Sequence, residues 1–194
     1  MADTLTERPA LRATRPLATG GSGVRLHERT GLCLVQVIAR PGQERETGRI
    51  LGLDLQDKPN TAKTVEAIQV LCLRPRDWLI VTDDPEGRAG GVAVEARARL
   101  AGRAAAIDQS HGRVVLRLEG EGARKLLQQG LNVDLHPSVF PATSLAQTGL
   151  AGIAVMVHCT GAECFDLYVA RSFAASLAEW LVQHGARLAQ PPNA

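Results

Sequence analysis

The sequence predicts an α+β fold in which helices pack on a mainly antiparallel sheet. Three observations carry that prediction. Arg113 to Leu118 alternates, with Val114, Leu116 and Leu118 on one face and Arg113, Val115 and Arg117 on the other, the period of a half-buried strand. A β-α-β-β-α order of segments occurs twice, as two diverged repeats would give. The final helical stretch carries an apolar stripe of Phe173, Leu177, Trp180, Leu181 and His184, spaced for burial against a sheet.

Taken in order, residues 1–30 are expected to form an extended N-terminal arm and residues 31–194 a single domain. Met1 to Gly23 mixes Pro9, Pro16 and scattered charges with no periodic apolar face, and it lacks the hydrophobic centre of a signal peptide. The run Thr19 to Gly23 has no strand before it and no lysine with Ser or Thr after it. It therefore suits a flexible linker and not a phosphate loop. An arm of this kind is expected to pack on a neighbouring subunit.

The first repeat is expected to hold a strand at Leu32 to Ala39, a weak helix ending near Gly52, strands at Ile68 to Leu73 and Trp78 to Val81, and a helix at Gly91 to Leu100. The second begins with the strand at Arg113, after which Gly120 and Gly122 bracket a turn. A helix over Ala123 to Gln129 follows, with Ala123, Leu126 and Leu127 at i, i+3 and i+4 and Gly130 as its stop. Strands at Ile153 to His158 and Phe165 to Val169 precede the last helix, with Ser172 as the expected N-cap and Gly185 as C′. The phrases ILGLDL at Ile50 and GLNVDL at Gly130 follow the first helix of each repeat.

Composition removes several functional classes. A chain of 194 residues can bury roughly 70% of its unfolded surface without staples. The net charge is +2 with arginines scattered among acids, and aromatics are 3%; neither a basic face nor stacking platforms for nucleic acid are present. No apolar run is long enough to span a bilayer. Cys33, Cys72, Cys159 and Cys164 contain no Cys-x-x-Cys pair and are expected to be reduced, acting as small hydrophobes. His158 with Cys159 and Cys164 falls short of four convergent zinc ligands. Trp78 and Trp180 are expected as core or interface anchors.

Candidate catalytic residues find little local support. Asp108 and Ser110 share a strand face while His111 points to the other, which opposes a triad, and the G-x-S-x-G elbow is absent. A hydrogen-bonded turn is the expectation there. His136 and His158 lack acid or base partners in sequence, and no G-x-G-x-x-G opens a helix for a flavin or nicotinamide. No catalytic, cofactor or metal residue is therefore assigned to this chain. Arg113, Arg117 and Arg171 are the exposed-looking charges expected at an interface.

Four segments together resemble the gamma subunit of heterotetrameric sarcosine oxidase: LCLRPRDWLIV from Leu71, DQSHGRVVLRLEG from Asp108, LLQQGLNVDLHPSVFP from Leu126 and FDLYVARSFAASLAEWL from Phe165. The chain departs from the family pattern at Arg76-Asp77, where an acidic pair is usual, and at Pro141-Ala142, where Pro-Gly is usual. The resemblance implies a fold like the folate-binding domain of aminomethyltransferases such as the glycine cleavage T-protein. It also implies a cytoplasmic complex that oxidatively demethylates sarcosine to glycine. FAD, FMN, NAD and tetrahydrofolate are expected in partner subunits, with this chain docked directly on the alpha subunit and beta and delta subunits completing the complex.

Enzymes of the aminomethyltransferase family place paired carboxylates where this chain reads Gly149 to Val157, a segment with no carboxylate. Such a segment supplies neither a general base nor stabilisation for a cationic iminium. Asp134 lies in an Asn-x-Asp-Leu phrase that resembles a family aspartate, but a turn-forming role bonded to nearby backbone N–H groups is expected. Two alternatives remain: a free-standing folate-binding aminomethyltransferase-like protein, and a stand-alone binding module of the same fold.

Overall fold

The computed structural model describes residues 9–11, 17–18, 23–84, 87 and 89–188. The elements are β1 (Leu17–Ala18), β2 (Arg25–Arg29), β3 (Leu32–Ala39), α1 (Glu44–Leu51), β4 (Thr61–Val65), β5 (Ile68–Arg74), β6 (Asp77–Asp83), α2 (Ala89–Leu100), β7 (Ala104–Asp108), β8 (Arg113–Glu119), α3 (Ala123–Gln128), β9 (Leu145–Leu150), β10 (Ile153–Gly161), β11 (Cys164–Ala170), a 3-10 turn (Arg171–Phe173) and α4 (Ala174–Leu188). They form two antiparallel sheets, ordered β1-β2-β8-β11-β10-β9 and β4-β5-β6-β3-β7.

The sheets pack face to face with helices outside, giving four layers. Leu34, Leu71, Leu79 and Val81 of one sheet meet Val115, Met156 and Tyr168 of the other in a shared apolar layer. α3 and α4 cover the outer face of the larger sheet through Leu126, Leu127, Leu177 and Leu181, while α1 and α2 lie over the smaller one. β8 is consequently not half-buried as its alternation predicts. Val115, on its polar-looking face, is 1% exposed because a second sheet covers that side. The two sheets are also joined at one edge, where Ala62 N–H donates to Thr143 O (2.7 Å) and Leu145 N–H to Asn60 O (2.9 Å).

The predicted repeats are visible in the topology. Strands β5-β6-β3 of the first repeat lie in the same order as β10-β11-β8 of the second, and the cross-strand pair Cys72 and Trp78 corresponds to Cys159 and Phe165. The strand preceding each repeat is exchanged: β2 leads into β3 but pairs with β8, while β7 leads into β8 but pairs with β3. The expected arm therefore does not extend to residue 30. Val24 is buried and Arg25–Arg29 lies inside the larger sheet, because β8 would otherwise expose one side of its backbone hydrogen-bonding groups. Further back in the arm, Leu17–Ala18 pairs with β2 and the Ala10 and Leu11 N–H groups donate to Glu28 at 3.0 and 2.9 Å, while Thr19 to Ser22 lie outside the described residues.

Other expectations are met or corrected locally. The strand at Leu32–Ala39 has the predicted bounds, and Gly52 ends α1 with φ 73°. α4 instead begins at Ala174 and runs through Gly185, which is buried within it. Phe173, placed on the buried stripe by periodicity, precedes the helix and is 52% exposed. Gly130 follows α3, but its glycine is demanded by packing: a Cβ there would sit 2.7 Å from Leu150 Cδ1 and from the Trp180 ring. Trp78 is fully buried and its Nε1 donates to Gln56 O at 2.7 Å. Trp180 is partly buried and stacks on His184 at 4.0 Å. The cysteines are free thiols.

Arg124 on α3 is a fold-holding residue without a sequence signal. It is 7% exposed and lies 5.0 Å from the Phe165 ring centroid. Its guanidinium donates to Leu135 O, to Phe140 O (3.4 Å) and to Ala162 O (2.7 Å), tying the 130–141 loop and the β10–β11 turn to one helix. Glu163 supplies the counter-charge at 3.8 Å. Arg124→Ala should leave these carbonyls without their donor and lower stability by about 3 kcal/mol; urea unfolding of the purified chain measures it.

Candidate functional site

The strongest concentration of charge inside the fold is a row across the inner face of the larger sheet. His27 on β2 is paired with Arg117 on β8, Arg117 with Asp166 on β11, and Asp166 with His158 on β10. Asp166 has no exposed surface. Its carboxylate accepts from Arg117 Nε at 2.7 Å and Nη2 at 2.8 Å, and from Arg29 Nη1 at 2.9 Å. Arg29 also approaches Asp83 at 3.8 Å.

Burial sets the protonation states around this carboxylate. Removal from water pushes His158 down to about 4; Asp166 opposes that shift, while Arg117 and Arg29 add to it. Tyr168 is pushed up, first by burial and then by Asp166, and Arg117 is held charged above its ordinary range by its bonds to Asp166. His158 Nδ1 and Tyr168 Oη are buried without a hydrogen-bond partner among the described residues. Asp166 has no exposed surface and accepts three hydrogen bonds from two guanidinium groups, which leaves it poorly placed to abstract a substrate proton. The row's chemistry is that of a lock between β2, β8 and β11, closed by Arg29, Arg117 and Asp166.

Of the arginines expected at a surface, Arg117 is thus drawn inward, its side chain 25% exposed. The correction follows from its partner: an aspartate buried between two sheets requires a counter-charge. Arg113 is half-buried at the start of β8, and Arg171 is half-buried, with its backbone N–H donating to Gly112 O at 3.0 Å. The two therefore lie at one end of the sheet, away from Arg117 along β8.

Asp108, Ser110 and His111 make a turn. Asp108 Oδ1 accepts from Ser110 N–H at 2.9 Å, Ser110 Oγ accepts from Leu34 N–H at 3.0 Å, and His111 is exposed. Asp134 Oδ1 likewise accepts from His136 N–H at 2.8 Å. Gly149 to Val157 is not one strand: it contains the end of β9, a turn at Ala151 and Gly152 with φ of 53° and 79°, and the start of β10. Among the described residues no three His, Cys, Asp or Glu side chains converge as metal ligands. Burial pushes the Cys33, Cys72 and Cys159 thiols up, away from reactive thiolate.

Residues 39–187 match the sarcosine oxidase, gamma subunit family. The chain is 31% identical over 193 residues to sarcosine oxidase subunit gamma of Arthrobacter sp., covering 96% of this chain and 93% of that one. It is 32% identical over 134 residues to the corresponding subunit of Corynebacterium sp. strain P-1, covering 69% and 64%. Among solved structures, it is similar to a chain of heterotetrameric sarcosine oxidase from Corynebacterium sp. U-96, with TM-score 0.81, 24% identity and coverage of 92% and 91%. It is also similar to glycine cleavage system aminomethyltransferase T from Bartonella henselae, with TM-score 0.64, 16% identity and coverage of 93% of this chain and 54% of that one. The two structural likenesses are likenesses of fold.

Asp166→Asn should cost about 3 kcal/mol, because it removes the counter-charge of two partly buried guanidinium groups. Arg117→Gln with Asp166→Leu should cost less than that single change, as read by chemical denaturation. His158 gives a pH test. Between about pH 6.5 and 4, unfolded histidine binds a proton that folded His158 resists, so stability falls on acidification by about 3 kcal/mol from this group. The stability of His158→Gln should fall less steeply across that interval.

Proposed function

Because the chain belongs to the sarcosine oxidase gamma subunit family, we propose that it is the gamma subunit of a heterotetrameric sarcosine oxidase, the complex that oxidatively demethylates sarcosine to glycine. The near full-length match to the Arthrobacter subunit, 31% identical with more than nine tenths of both chains covered, carries this proposal. Its task is to dock on the alpha subunit and stabilise it. Beta and delta subunits complete the assembly, and FAD, FMN, NAD and tetrahydrofolate are held by the partners. No described helix is long and apolar enough to cross a membrane, and we place the complex in the cytoplasm.

An accessory role is supported by the chemistry of the interior. Asp166 is occupied by two arginines, the Asp108 to His111 segment is a turn, and the β9–β10 hairpin has no carboxylate over Gly149 to Val157. The likeness to aminomethyltransferase T reaches about half of that protein, and a shared fold alone transfers no activity.

Affinity purification of the tagged chain from its native cells tests the proposal. Larger partner proteins with a flavin absorption spectrum should elute together with it. A colourless chain eluting alone, with partners present in the lysate, would overturn the subunit assignment.

A further inference from the structure

We propose that an open pocket at the start of β8 receives an acidic side chain of the partner subunit, with Arg113 as its anchor; the proposal rests on the gamma-subunit reading above. The pocket has a volume of about 430 Å³ and is lined by Arg113, Gln147, Thr148, Ala154, Met156 and Tyr168. These residues come from four neighbouring strands, β8, β9, β10 and β11. They bring one cation to a wall of otherwise uncharged side chains.

Charge complementarity identifies the occupant. Arg25, Arg29, Arg49, Arg74, Arg117 and Arg124 each have a carboxylate within 4 Å. Among the described residues Arg113 has none, although it is half-buried. A guanidinium that is partly desolvated without a counter-charge is costly, and an incoming carboxylate offsets that cost with a forked hydrogen bond. Gln147 is held by donation of its Nε2 to Leu73 O at 2.8 Å, leaving its amide oxygen and the Thr148 hydroxyl as neutral polar groups. Ala154 and Met156 provide apolar contact for the methylenes of a Glu or Asp stem. A single cation among neutral groups suits a singly charged carboxylate better than a phosphate.

The surroundings resemble an interface. Gly112, beside Arg113, accepts the Arg171 N–H, and Phe173, two residues further on, is 52% exposed. An exposed aromatic near a cation is typical of an energetic centre in a protein contact.

The test uses the full chain co-expressed with the larger subunits, measuring association of wild type, Arg113→Glu, Arg113→Lys and Ala154→Trp at low and raised salt. Arg113→Glu reverses the anchor and Ala154→Trp fills the pocket; each should weaken association by about tenfold or more. Arg113→Lys should retain part of the affinity, and raised salt should weaken wild type more than Arg113→Glu. Unchanged thermal unfolding of the isolated variants checks that the fold is kept. If wild type assembles and both Arg113→Glu and Ala154→Trp assemble equally tightly, the pocket proposal fails while the subunit reading stands. If wild type does not assemble with the larger subunits, the subunit reading itself fails. Saturable tetrahydrofolate binding by the isolated chain, abolished by Arg113→Glu, would make the pocket a small-molecule site and overturn the proposal.

Discussion

Leu34, Leu71, Leu79 and Val81 from one sheet press against Val115, Met156 and Tyr168 from the other, and the rest of the architecture depends on this contact. Because it covers the inner face of both sheets, their central strands are buried on two sides and must read as nearly continuous apolar runs, as in LCLVQVIA of β3. The helices then need only close the outer faces. The exchange of β2 and β7 between sheets strengthens the same contact, since separating the sheets would pull each exchanged strand away from its pairing partner or from the strand it leads into.

Comparison of the two halves shows where the repeats diverged. The row Ile107, Gln36, Leu79 and Leu71 in the smaller sheet corresponds by register to His27, Arg117, Asp166 and His158 in the larger one. Where one half buries Leu79 and Leu71, the other buries Asp166 of an ion pair and His158. Replacing apolar contacts by buried charge seldom adds stability, because desolvation of both ions offsets their attraction. What it adds is a penalty for any arrangement that separates the partners. In two sheets of the same topology, a charged row in only one makes the halves chemically distinct.

The functional conclusion has a related basis. A fold similar to an aminomethyltransferase domain can be kept while its chemistry is absent, because activity depends on a few placed side chains and the fold depends on patterning and burial. Here the segment Gly149 to Val157 is a hairpin without carboxylates. The buried Asp166 carboxylate is taken up by Arg117 and Arg29, while the neighbouring His158 Nδ1 and Tyr168 Oη have no hydrogen-bond partner among the described residues. The docking role proposed above asks of the chain a surface and not a reacting group.

The strands buried on both sides, the helices and the repeat order were legible in the sequence, since two-sided burial and 3.6-residue spacing impose apolar patterns that local inspection detects. The edge strands were not. Thr61–Val65, Ala104–Asp108 and Leu145–Leu150 border the sheets and carry polar or small residues, because an edge gains less from burial. The site was divided in the same way. The turn roles of Asp108 and Asp134 followed from bonds within two residues, whereas the pairing of Arg117 with Asp166 spans 49 residues and that of Arg29 with Asp166 spans 137. The sequence by itself determined the class of fold, its repeats and its family, because each is written in local spacing and residue type. Only the tertiary structure decided that β2 belongs to the far sheet, that Arg117 turns inward and that Arg113 has no carboxylate within 4 Å among the described residues, because those outcomes depend on which distant groups burial brings together.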